Sequence, residues 1–117
     1  MKMNHTITIS IDFDGTLSIP EVQVYAKYLI ENGFNVLILT TRFNKYLNQD
    51  LIKIKEKLGI TKVVYTNGED KHYFMDGIDI HLDNDERELR LISRHTDTEV
   101  INITEKEWKT ILENLMP

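Results

Sequence analysis

The stretch 7–17 constrains the fold of this 117-residue chain more than any other part of the sequence. It starts as an apolar run in which isoleucines alternate with polar residues, a pattern that predicts a β-strand. The run stops abruptly at Asp12 and Asp14, and Gly15 permits the sharp exit that a strand needs. Two carboxylates at the end of a strand are costly unless a cation compensates them, and oxygen ligands of this kind suit Mg²⁺.

Predicted helices and strands alternate along the rest of the chain. Ser18 is the predicted N-cap of a first helix, which is predicted to end at Asn32 and Gly33. Residues 104–107 form a predicted capping box at the start of the last helix. The interval 69–77 is too short for more than about two helical turns. Further helices are predicted over about 44–58 and 86–95, and further strands over 35–40, 62–66, 78–83 and 100–103.

This alternation predicts a three-layer, Rossmann-like α/β domain with a five-stranded parallel sheet and right-handed crossovers. A chain of 117 residues matches one domain, so we expect residues 1–117 to form a single unit. In such sheets ligands bind outside the carboxyl ends of the strands, at the point where the strand order reverses direction.

Composition excludes several classes of function. The absence of cysteine rules out disulfides, thiol nucleophiles and cysteine-based zinc sites. No apolar run approaches the ~20 residues that span a bilayer, and residues 1–5 contain no apolar signal segment, so we expect a cytoplasmic protein without membrane contact. The net charge of −5 argues against a polyanionic partner held by bulk electrostatics.

The hexapeptide from Asp12 to Leu17 resembles the first motif of the haloacid dehalogenase (HAD) superfamily of phosphotransferases, Asp-x-Asp-Gly-Thr-Leu/Val. The alternative is a strand that merely ends in a polar Asp-Gly turn. The resemblance implies the strand order 3-2-1-4-5, which places the first strand beside the fourth. Asp12 and Asp14 would then lie next to Asp83.

The resemblance also implies roles for residues after the second strand. Thr40 would be the second motif, a hydroxyl that donates to a phosphoryl oxygen, and Thr41 is its neighbouring candidate for substrate contact. Arg42 could hold a second phosphate or another anionic part of the substrate, or could simply form a surface ion pair. Lys71 would be the third motif, a positive charge between the nucleophilic carboxylate and the phosphoryl group.

The fourth motif would begin at Asp83, a direct metal ligand. Asn84 follows it and could hold a metal-bound water, with Asp85 either sharing that work or capping the next helix. The implied mechanism is a two-step phosphoryl transfer in which Asp12 forms an aspartyl phosphate and Asp14 serves as acid and then base. Mg²⁺ would be held by Asp12, by the backbone carbonyl of Asp14 and by Asp83.

The intervals between the motifs leave no room for the cap domain that many HAD enzymes insert. We therefore expect an open site, which suits a bulky substrate such as a polynucleotide end or phosphoprotein, or closure by another subunit of a homo-oligomer. The sequence favours a Mg²⁺-dependent phosphatase acting on a phosphorylated small molecule or polynucleotide end. The alternatives are a polynucleotide 3′-phosphatase or nucleotidase, a catalytically silent HAD-like binding module and, ranked below these, a receiver domain of two-component signalling.

Overall fold

The structure, a computed structural model, describes residues 6–116. Residues 1–5, where no signal segment is expected, lie outside the described residues. Within the described residues, five strands alternate with four α-helices, a π-helical turn, Phe13–Leu17, follows the first strand, and a short 3₁₀ helix, Lys71–Phe74, lies between the third and fourth strands. The strands are β1 (Thr8–Ile11), β2 (Asn35–Thr40), β3 (Val63–Tyr65), β4 (Ile80–Asp83) and β5 (Glu99–Asn102), and the helices are α1 (Pro20–Glu31), α2 (Gln49–Leu58), α3 (Glu86–His95) and α4 (Trp108–Leu115).

The five strands form one parallel sheet in the order β3-β2-β1-β4-β5. This confirms the predicted α/β class and strand order. Ile11 at the end of β1 pairs with Ile38 in β2 and Leu82 in β4, so the carboxyl ends of these three strands lie at one edge. The order reverses direction between β1 and β4, which is where α/β sheets bind ligands.

Side chains from alternate positions of each strand fill two apolar layers, one on each face of the sheet. In β2, Ile38 packs into the layer that α1, α2 and α4 cover, while Leu37 and Leu39 pack into the layer that α3 and the 3₁₀ helix cover. The three-layer arrangement is therefore confirmed, and residues 6–116 contain no inserted cap domain. None of the helices described is long and apolar enough to cross a membrane.

Helix α2 begins at Gln49, so the prediction that it starts near residue 44 is wrong. Asn48 adopts a left-handed backbone with φ 52°, and its amide donates to the carbonyl oxygens of Phe43 and Tyr46. These bonds close the segment 41–48 as a loop. Leu47, which shares the helical spacing of the buried leucines, is 79% exposed as a result.

The predicted caps of α1 and α4 are also wrong. Ile19 precedes α1 in extended conformation, and Ser18 Oγ instead accepts a hydrogen bond from the backbone N–H of Gly15. At the other helix, both the backbone N–H and the hydroxyl of Thr104 donate to Asn102 Oδ1, so no capping box forms and α4 begins only at Trp108. Strand bounds differ from the predictions by at most two residues, the usual scatter at element ends.

Candidate active site

The turn after β1 sends Asp12 and Asp14 in different directions. The N–H groups of Leu17 and Ser18 donate to the carbonyls of Asp12 and Phe13, at 3.0 and 2.9 Å, which closes a wide helical turn. Gly15 has φ 74°, and a Cβ at this position would lie 2.5 Å from the Asn84 amide. The turn therefore needs glycine. Asp12 is 6% exposed, whereas the Asp14 side chain is 61% exposed.

Lys71 joins two buried carboxylates that the sheet brings together. Its ammonium lies 2.7 Å from Asp12 Oδ1 at the end of β1 and 2.6 Å from Asp83 Oδ2 at the end of β4. Burial alone would lower the pKa of Lys71, but the charges of Asp12 and Asp83 outweigh burial and raise it. Lys71 is therefore a fixed cation at the carboxyl edge of the sheet.

The two carboxylates bound to Lys71 titrate differently. Burial raises the pKa of Asp12 to about 6, against the opposing charge of Lys71. Asp83 is buried too, but the hydrogen bond from His81 and the attraction of Lys71 outweigh burial and lower its pKa to about 2. Near pH 7 both groups are thus ionised.

The carboxylate oxygens that do not contact Lys71 converge on Asn84. With its amide nitrogen turned inward, Asn84 Nδ2 lies 3.0 Å from Asp12 Oδ2, 3.2 Å from the backbone oxygen of Asp14 and 3.2 Å from Asp83 Oδ1. Thr16 Oγ1 donates to Asp12 Oδ2 at 2.9 Å. Thr16 occupies a fixed position of the hexapeptide 12–17, but no role was predicted for it.

These atoms fit Mg²⁺ by their chemistry. They supply carboxylate oxygens from Asp12 and Asp83 and a carbonyl oxygen from Asp14, the hard ligands that this ion prefers. Among the described residues, no group of three or more His, Asp or Glu side chains could hold a metal ion. The set at Asp12 contains only two carboxylates, so the backbone oxygen of Asp14 would be its third oxygen ligand, and Asn84 would take part only by turning its amide oxygen inward.

A buried hydrogen-bonded chain that the sequence analysis missed supports Asp83. His81 Nε2 lies 2.8 Å from Asp83 Oδ2, and His81 Nδ1 lies 2.6 Å from Ser10 Oγ. Burial lowers the pKa of His81, which favours the neutral ring, and because the Asp83 carboxylate can only accept a hydrogen bond, the ring proton belongs on Nε2. The one signal for it in the sequence is a histidine at an inner position of a predicted strand, 78–83.

Glu88 on α3 anchors the 3₁₀ helix that carries Lys71. Its carboxylate Oε2 accepts the backbone N–H of Lys71 at 3.2 Å, and burial raises the pKa of Glu88. Asp85 caps α3 by accepting the N–H of Glu88 at 3.2 Å, the second of the two roles considered for it. Helix α3 thereby sets the position of Lys71.

The remaining predicted residues lie around this cluster. Thr40 ends β2, is 1% exposed and accepts the backbone N–H of Arg42 at 3.2 Å, which leaves its hydroxyl hydrogen available as a donor. Thr41 is exposed, and its backbone oxygen accepts the N–H of Gly68. Arg42 contacts Asp14 rather than the buried cluster.

A scan against protein-family models gives no match. Searches of curated proteins and of solved structures find no similar chain either.

Proposed function

We propose that this chain is a Mg²⁺-dependent phosphatase of the HAD type, which hydrolyses a phosphomonoester through an aspartyl phosphate on Asp12. The observation that carries the proposal is the Lys71 ammonium held between Asp12 and Asp83, at 2.7 and 2.6 Å. A phosphate ester is an anion and must approach an anionic nucleophile. A fixed cation beside that nucleophile lowers the cost of the approach.

In the first step Asp12 attacks phosphorus, the bond from phosphorus to the leaving oxygen breaks, and Asp14 gives that oxygen a proton. In the second step Asp14 takes a proton from water, and this water attacks phosphorus and breaks the bond to Asp12. Inorganic phosphate leaves and both aspartates return to their starting states. Burial raises the pKa of Asp12 to about 6, which still leaves the carboxylate mostly ionised near pH 7 and able to attack.

Asp12 Oδ2, the backbone oxygen of Asp14 and Asp83 Oδ1 would hold Mg²⁺, and Asn84, whose amide nitrogen donates to these three oxygens, would have to turn its amide oxygen toward the ion or toward a water on the ion. The ion, when bound, neutralises charge on the phosphoryl oxygens during transfer. Thr40 would donate its hydroxyl hydrogen to a phosphoryl oxygen. Thr41, exposed beside it, stays a candidate for substrate contact.

The test is hydrolysis of 4-nitrophenyl phosphate by the wild-type chain and by Asp12→Asn, each with Mg²⁺ and with EDTA. Asp76→Asn is the matched control, because Asp76 is exposed and lies before β4, at the opposite edge of the sheet. We expect turnover that requires Mg²⁺, is lost in Asp12→Asn and is kept in Asp76→Asn. Equal activity in Asp12→Asn, or no turnover of any phosphate ester, would refute the proposal and favour a silent binding module.

A nucleotide or polynucleotide end is the second candidate substrate, favoured by the loop 41–48. Phe43 and Tyr46 are 41% and 62% exposed, and the Lys45 ammonium lies 5.5 and 5.3 Å from their ring centroids. Exposed aromatic rings beside a cation are typical of surfaces that stack nucleic-acid bases. A panel of nucleotides, sugar phosphates and 3′-phosphorylated oligonucleotides shows which class of substrate is hydrolysed best. If bases stack on the loop 41–48, Tyr46→Ala should raise KM only for substrates that contain a base.

The observed strand order weighs against a receiver domain, since receivers have the order 2-1-3-4-5. Closure of the open site by a second subunit and a cytoplasmic location stay predictions.

A further inference from the structure

Arg42 uses all of its hydrogen-bond donors within the chain. Nε donates to Asp14 Oδ2 at 3.0 Å, and Nη2 donates to Asp14 Oδ1 at 2.7 Å and to Asp50 Oδ2 at 2.8 Å. Nη1 donates to Asp50 Oδ1 at 2.7 Å and to Asn48 Oδ1 at 3.4 Å. A guanidinium group has five N–H donors, so none is left for an anion of the substrate.

The same contacts tie Asp14 to a rigid part of the fold. The Arg42 guanidinium carbon lies 4.9 Å from the centroid of the buried Phe13 ring, and Asp50 stands in the first turn of α2, next to the fully buried Leu51. A two-bond contact to both oxygens of a carboxylate fixes its plane as well as its distance. Asp14 would otherwise be an exposed side chain free to rotate in a turn.

We infer that Arg42 and Asp50 are positioning residues that hold the Asp14 carboxylate in place for proton transfer. The inference rests on the proposed function and replaces the predicted contact of Arg42 with an anionic part of the substrate. Each Asp14 oxygen keeps a second lone pair, which can carry the proton that Asp14 gives to the leaving oxygen and can later take a proton from the water. Proton transfer depends steeply on such placement, because a shift of about 1 Å can cost about 100-fold in rate.

The choice of leaving group distinguishes a residue that positions Asp14 from one that binds the phosphate and from one that is needed only for folding. Phenoxide is a more basic leaving group than 4-nitrophenoxide, so its departure depends more on a proton from Asp14. A residue that positions Asp14 must slow phenyl phosphate more than 4-nitrophenyl phosphate. A residue that binds the phosphate would raise KM for both esters, and a residue needed only for folding would lower kcat equally for both.

The experiment measures kcat and KM for both esters, with Mg²⁺, in Arg42→Lys, Asp50→Asn and Asp14→Asn. We expect kcat for phenyl phosphate to fall about 10-fold to 100-fold in Arg42→Lys, with a smaller loss for 4-nitrophenyl phosphate and little change in KM. Asp50→Asn should show the same preference. The Asp50 side chain is 63% exposed, so that variant is expected to fold.

Matched controls are Arg94→Lys and Asp76→Asn, which change exposed side chains away from Asp14. The double variant Arg42→Lys with Asp14→Asn should be no slower than Asp14→Asn alone, because Arg42 acts through Asp14. Equal losses for both esters, a change in KM alone, or a gain in kcat would each overturn the positioning role while the proposed function stands. Absence of turnover of both esters by the wild-type chain would overturn the proposed function, and the positioning role with it.

Discussion

Replacement of Lys71 by methionine removes the ammonium between Asp12 and Asp83 and leaves two buried carboxylates facing each other. The Lys71 side chain is only 3% exposed, and those of Asp12 and Asp83 are 9% and 0% exposed. Methionine fills much of the space of the lysine stem, so the substitution tests charge more than packing. We expect a large loss in the free energy of unfolding.

The size of this loss follows from the two contacts. Each hydrogen bond to a charged group contributes about 1.5–3 kcal/mol, and breaking a buried ion pair costs about 3–5 kcal/mol. We therefore expect a loss of about 3–5 kcal/mol near pH 7, out of the ~5–15 kcal/mol that stabilises a domain. The loss should shrink as the pH falls, because without Lys71 the pKa of Asp12 rises above its value of about 6 and the carboxylate takes up a proton.

Urea unfolding in EDTA measures the effect. Lys62→Met is the matched control, since Lys62 is exposed and such a change stays within about 0.5 kcal/mol. Adding Asp12→Asn to Lys71→Met should recover part of the loss, because only one buried charge, that of Asp83, then remains. A loss below about 1 kcal/mol, the range of exposed ion pairs, or no recovery in the double variant would refute this account of the cluster.

Three further predictions concern the same edge of the sheet. His81→Phe removes the bond to Asp83 and should raise the Mg²⁺ concentration for half-maximal activity about 10-fold to 100-fold. In EDTA, raising the pH from about 4 to about 7 should lower the free energy of unfolding of the wild type relative to Asp12→Asn by up to about 3 kcal/mol. The reason is that the pKa of Asp12 is raised from 3.8 to about 6 on folding, so its stabilising contribution is present below 3.8 and lost as the pH rises through 6. Gly15→Ala should cost about 1–3 kcal/mol in urea unfolding, because it strains φ and meets the Asn84 amide.

Each of these predictions has a result that would contradict it. An unchanged Mg²⁺ requirement in His81→Phe would mean that the ring does not orient Asp83. A pH-independent difference between wild type and Asp12→Asn would mean that burial does not shift the pKa of Asp12. Gly33→Ala is the control for Gly15→Ala, since Gly33 also has positive φ but has open space around it, and equal losses would remove the role of the Asn84 contact.

The sheet was predictable because its signals are local. The apolar run over 35–40 and the helical spacing over 86–95 both indicate elements that the structure contains, and alternation of strands and helices implies parallel pairing. The strand order was predicted from the resemblance of the hexapeptide 12–17 to the first HAD motif, and not from local signals. The order places Asp12 beside Asp83, and the Lys71 ammonium lies between their carboxylates, while its role as the third motif stays a prediction.

The parts that were missed depend on distant contacts. Ser10 and His81 are partners across β1 and β4, and this pairing follows from the register between two strands 71 residues apart. Arg42 reaches Asp14 across 28 residues, and the left-handed Asn48 that ends the loop has no periodic signal. Spacing along the chain predicts which face a side chain occupies, but it does not predict which polar groups meet.

The central claim is that Asp12 carries the phosphoryl group, and trapping that group tests it most directly. Asp14→Asn should form the aspartyl phosphate from 4-nitrophenyl phosphate, whose leaving group needs little protonation, and should hydrolyse it slowly for lack of a base. Acid quenching of Asp14→Asn during turnover, followed by mass spectrometry of its peptides, is predicted to find one phosphoryl group on the peptide that contains Asp12. The double variant that carries both Asp14→Asn and Asp12→Asn is predicted to carry none. A phosphoryl group on another peptide, or turnover with none trapped on any peptide, would contradict the claim.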